Sequence, residues 1–109
     1  MAGKFVVFTG KDGQHYFKLK AANGEVIFSG QGYKTRNSCL NGIESVRKNS
    51  QDEDRFEVRT AKDGRGYFIL KAANGQEIGR SQMYKSDSGC RNGKKSVASN
   101  AADAVLVEE

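Results

Sequence analysis

The chain has 109 residues, an apolar fraction of 37% and a negative mean hydropathy, and no run approaches the roughly 20 apolar residues that a membrane-spanning helix needs. A net charge of +5 and a pI near 9.3 favour anionic surroundings without selecting a ligand. Two cysteines, and an N-terminus without the pattern of a cleavable leader, give the expectation of a cytoplasmic chain, off the membrane, whose thiols stay reduced.

In chain order, Phe5–Thr9 (FVVFT) alternates as a strand does, Lys11-Asp12-Gly13 reads as a turn, and Tyr16–Ala21 (YFKLKA) alternates again. Asn23-Gly24 then predicts a tight hairpin turn in which both residues take positive φ, followed by a third strand over Glu25–Ser29 (EVIFS). Beyond Tyr33-Lys34, Thr35 is placed as an N-cap, and Cys39, Ile43 and Val46 recur at the spacing of one buried helical stripe. An acidic connector, Asp52-Glu53-Asp54, separates this from a second run of the same elements. The second run has strands at Phe56–Thr60, Tyr67–Ala72 and Gln76–Arg80, turns at Lys62-Asp63-Gly64 and Asn74-Gly75, and a helix capped by Ser86. That helix keeps Cys90 and Val97 but has Lys94 where the first has Ile43, so its apolar stripe is weaker. Gly42 and Gly93 are retained in mid-helix, where glycine costs about 1 kcal/mol relative to alanine, which points to close approach of each helix to the sheet. Ala104–Val107 (AVLV) is read as a last strand.

Laid on one another, Phe5–Ser50 and Phe56–Ala101 align without a gap and agree at just over half of their positions, so the chain is a tandem duplication. Two copies of a Tyr-Phe strand, Lys-Ala-Ala-Asn-Gly, Tyr-Lys-Thr/Ser and Cys-x-Asn-Gly-x-x-Ser-Val resemble the bacterial YegP-like family over nearly the whole chain. The resemblance implies a β-β-β-α-β unit used twice, as a tandem repeat or as a dimer of single copies. In it the units share one antiparallel sheet and exchange C-terminal strands; no activity is implied. The expected fold is therefore α+β, one domain over residues 1–109, with two helices on one face of the sheet. Repeat 1 occupies 5–50, repeat 2 occupies 56–101, and the C-terminal strand 104–107.

No catalytic, cofactor or metal site is expected. His15 sits in a turn and is Gly66 in the other copy; Cys39 and Cys90 fall on the core stripe, where cysteine acts as a small hydrophobe; no paired Cys-x-x-Cys exists. Tyr33-Lys34-Thr35 and Tyr84-Lys85-Ser86 could hold a phosphate at a helix N-terminus, but capping alone accounts for the residue types.

The sheet carries the more informative contrast. Phe5, Val7, Phe17, Leu19 and Ile27 are retained in repeat 2 and must face the helices. Strict alternation places Val6, Phe8, Tyr16, Lys18, Lys20, Val26 and Phe28 on the opposite face, against Glu57, Arg59, Tyr67, Ile69, Lys71, Glu77 and Gly79 in repeat 2. Aromatic and aliphatic groups edged by lysines suit a protein contact or self-association, the favoured reading, or stacking of single-stranded nucleic acid, the alternative. A tail or loop folded over the face is a third possibility. On helix two, Leu40, Ile43 and Glu44 are replaced by Arg91, Lys94 and Lys95, a candidate strip for a polyanion. The chain is thus expected to be a small, non-enzymatic binding module.

Overall fold

The computed structural model describes residues 3–109. Each repeat opens with a meander, β1 (Lys4–Thr9), β2 (His15–Lys20) and β3 (Val26–Gly30) in repeat 1 and β4 (Phe56–Thr60), β5 (Gly66–Lys71) and β6 (Glu77–Ser81) in repeat 2. Helix α1 (Arg36–Asn49) follows the first meander and α2 (Asp87–Asp103) the second, and β7 (Val105–Glu108) ends the described chain. A single 3-10 turn, Glu53–Arg55, joins α1 to β4, with Asp52 capping it.

One seven-stranded sheet runs β4-β5-β6-β3-β2-β1-β7. The repeats meet at an antiparallel β3–β6 seam, and both helices pack on the same face, over a core shared by the two copies. The sheet is mixed rather than wholly antiparallel: β7 pairs with β1 in parallel, Phe5 against Leu106 and Val7 against Glu108. It reaches that place by way of α2, which carries the chain from β6 in the middle of the sheet to its far edge.

The helix starts follow the sequence. The Ser38 amide donates to Thr35 Oγ1 at 3.1 Å and the Gly89 amide to Ser86 Oγ at 3.0 Å. Cys39, Ile43 and Val46, with Cys90 and Val97 of α2, are buried. Gly42 and Gly93 are required by the tyrosines that precede each helix: the Tyr33 and Tyr84 hydroxyls stand where a Cβ would project. Each of those rings stacks at 6.2 Å on a core phenylalanine, Phe17 or Phe68.

Two expectations of strict strand geometry are corrected. At Asn23-Gly24 and Asn74-Gly75 only the glycines take positive φ, at 85° each. Ala21 accepts from Gly24, donates to Glu25, and the Asn23 carboxamide accepts from the Glu25 amide, giving a type I turn closed by a glycine bulge. Lys-Asp-Gly builds the same turn at Gly13 and Gly64.

The second correction concerns β3. Leu19 pairs with Phe28 but Lys20 pairs with Val26, so Ile27 is an extra residue in a β-bulge. Two consecutive residues, Ile27 and Phe28, then face the helices, and Phe28 lies fully buried in the core instead of on the outer face. Repeat 2 has the same bulge at Ile78, which turns Gly79 inward. Phe28 and Gly79 are equivalent positions across the seam, and a Cβ on Gly79 would stand 2.8 Å from the Phe28 ring. One large and one absent side chain fill a space that two phenylalanines could not share.

Candidate functional site

The outer face of repeat 1 is not the open platform that alternation draws. Val6 is on that face, yet only 2% exposed, in register between Lys18 of β2 and Val107 of β7. Phe8 stacks on Tyr16 at 5.7 Å with Lys18 Nζ 5.0 Å from its ring, and the Tyr16 hydroxyl donates to Asp12 at 2.6 Å. That hydrogen bond lowers the Asp12 pKa and raises that of Tyr16. Phe8, Tyr16, Lys18, Lys20 and Val26 remain half-buried, while Phe28 belongs to the other side. Repeat 2 closes its outer face with charge: Ile69 is fully buried between Glu57 and Arg80 in register, and Glu57 binds Arg59 at 2.6 Å and Lys71 at 3.1 Å. Those two cations, Arg59 first, hold the Glu57 carboxyl below its usual range.

The more open feature is a sheet edge. In repeat 1 the β1 edge is covered by β7: the Val7 carbonyl accepts from the Glu109 amide at 2.8 Å, Arg36 pairs with Glu108, and Arg47 lies over the Phe5 ring at 5.0 Å. In repeat 2 the equivalent strand, β4, pairs among the described residues only with β5, and no described strand occupies the place that β7 takes beside β1. Val58, the counterpart of Val7, is 51% exposed where Val7 is 5%. It faces the helix side of the sheet, paired with buried Phe68.

Beside this edge the helix wall has changed chemistry. Ala98 stands in place of Arg47, Lys94 in place of buried Ile43 and Arg91 in place of Leu40. The result is a hollow of about 180 Å³ over Phe56, bounded by Arg91, Lys94, Lys95 and Ala98 on α2 and by Ser50, Gln51 and Glu53 on the connector. The three cations of the predicted strip are thus brought together, and none forms an ion pair among the described residues.

Groups with reactive potential are otherwise engaged in packing. Cys39 and Cys90 are free and 0% and 3% exposed, and burial pushes both thiols above their usual pKa, away from the thiolate that chemistry needs. Burial likewise raises Tyr33 and Tyr84. His15 is held by a backbone bridge to Tyr33. No cluster of three or more His, Cys, Asp or Glu that could hold a metal occurs among the described residues, and no described helix is long and apolar enough to cross a membrane.

Sequence reasoning found the cations but missed the edge they flank. The available signal was the duplication itself: two β-β-β-α-β units supply two places for a C-terminal strand, while the segment that would serve repeat 1 is spent on the connector and β4.

The chain matches the model of a family described as a domain of unknown function, DUF1508, twice, over residues 11–57 and 61–108. It is 49% identical over its full length to a UPF0339 protein of Pseudomonas aeruginosa, covering 99% of that protein. It is 53% identical over 96 residues, 88% of the chain, to one of Pasteurella multocida, covering 84% of it. The solution NMR structure of YegP from E. coli, a protein of unknown function, superposes with a TM-score of 0.94 at 43% identity, covering 100% of this chain and 94% of that one. A UPF0339 protein of Shewanella oneidensis, also solved by NMR, gives 0.92 at 42% identity, covering 99% and 92%.

Proposed function

We propose that this chain, which belongs to the DUF1508 family of YegP-like proteins, is a small, non-enzymatic, cytoplasmic module that binds another protein through its open β4 edge. The observation that carries the reading is Val58: an apolar side chain on the core face of an edge strand, half exposed, beside unpaired backbone groups and a hollow where three cations outnumber the one carboxylate, Glu53. Open edges are usually blunted because they template pairing with other chains. This one is short and bears Arg59, but it is neither bulged nor covered by a partner strand.

Single-stranded nucleic acid is the second reading, favoured by the half-exposed Phe8–Tyr16 stack beside Lys18 and Lys20. Capture from cell lysate, with and without nuclease, separates the two. A partner retained after nuclease treatment and lost with Val58→Lys supports the edge. A partner lost on nuclease treatment, untouched by Val58→Lys and abolished by Phe8→Ser overturns it in favour of the platform.

A further inference from the structure

We infer that the β4 edge takes an extended segment of a partner protein in parallel register, with an acidic residue opposite Phe56 and a basic residue two positions later, opposite Val58. This rests on the reading of β4 as the binding edge and adds orientation and charge order.

The orientation comes from the filled half of the molecule. β7 lies parallel to β1, with Leu106 opposite Phe5 and Glu108 opposite Val7, both toward the helices. The duplication places Phe56 and Val58 where Phe5 and Val7 stand, so a strand seated on β4 in the same manner presents alternate residues to α2.

Charge order comes from what replaces the wall around β7. Glu108 meets Arg36 at the start of α1, and the equivalent residue of α2 is Asp87. A residue opposite Val58 therefore meets an acid where β7 meets a base, and a lysine or arginine suits it. Opposite Phe56, the place of Leu106, the wall is Arg91 and Lys94 instead of Leu40 and Ile43. A glutamate there can lay its alkyl stem over Phe56 and bring its carboxylate to the cations. The chain's own tail has the opposite pattern, Leu106 then Glu108, and is disfavoured at β4 by both exchanges. The same substitutions that leave the seat open thus keep β7 on β1 and keep a second copy's β7 off β4.

The test uses the intact chain and three synthetic probes: Ala-Val-Glu-Val-Lys-Val, its charge-reversed form Ala-Val-Lys-Val-Glu-Val, and the tail peptide Ala-Val-Leu-Val-Glu-Glu. Amide NMR shifts of β4 report binding. The first probe is expected to shift the Val58 amide and to bind about ten-fold more tightly than the other two at low salt, with the margin shrinking as salt rises. A spin label on its N-terminus should broaden Phe56 before Thr60. Asp87→Arg should move the preference toward the tail peptide. Equal binding of all three probes at β4 overturns the charge order and leaves the edge reading standing. No β4 shift with any probe overturns both. Concentration-dependent dimerisation of the wild type that Val58→Lys abolishes would make a second copy the occupant and overturn the inference.

Discussion

The two halves of this molecule hold the same strand in opposite conditions. β1 is sealed, with β7 along its edge, Arg47 over Phe5 and Ile43 of the same helix buried in the core; β4 is bare, with Ala98 and Lys94 at the matching positions. Duplication explains the common backbone, and the difference shows where constraint ended. Most positions that meet the shared core kept their identity, including Phe17/Phe68, Leu19/Leu70 and Cys39/Cys90, with Phe28/Gly79 at the seam and Ile43/Lys94 beside the open edge among the exceptions. Around the edge that lacks a neighbouring strand the helix wall changed character, with Leu40 and Ile43 replaced by Arg91 and Lys94, Arg47 by Ala98 and Arg36 by Asp87.

The comparison can be broken first at the seam. Phe28→Ala removes a fully buried ring at the one place where the repeats differ most in volume, and is expected to destabilise by about 3–5 kcal/mol in chemical denaturation. A change under about 0.5 kcal/mol would return Phe28 to the outer face. Next is the paired test of the edges. Val7→Ala should destabilise by about 1–2.5 kcal/mol, because Val7 is covered, whereas Val58→Ala should stay within about 0.5 kcal/mol. Equal losses would mean that β4 is covered too.

A smaller effect follows from making the second wall like the first. Lys94→Ile places an apolar group in the hollow over Phe56 and is expected to stabilise the chain by up to about 1 kcal/mol while removing one cation from the strip. A loss of stability would show that the Lys94 stem already packs there. The smallest contrast is between the thiols. Both are buried with raised pKa values, so each stays a neutral thiol at and somewhat above neutral pH, and a thiol reagent should label both slowly in the native protein and quickly after unfolding. Fast native labelling of Cys90 alone would show that α2 opens more readily than α1.

Much of the architecture was legible because its signals are local and written twice. The turn glycines, Thr35 and Ser86, and the Cys39-Ile43-Val46 stripe each declare an element within a few residues. Strict alternation misplaces Phe28 because a bulge adds one residue and reverses every side chain beyond it, and the unbroken apolar run Val26-Ile27-Phe28 does not say which of its residues face the helices. Val6 reads as exposed because burial on an open face depends on the strands to either side, and β7 comes from the far end of the chain. The basic strip was legible as composition. Its meaning as one wall of a vacant strand position was not, because that depends on which of two like edges β7 chooses.

That choice also orders assembly in time. Each meander closes through turns of a few residues, but the β1–β7 pair joins Lys4 to Val105, so its closure must await nearly all of the chain. During synthesis the nascent sheet has two unsatisfied borders, with Phe5 and Val7 as bare as Phe56 and Val58. Protection of the β1 amides against hydrogen exchange should therefore be among the last acquired, and a chain stalled before β7 would depend on chaperones at both ends of its sheet.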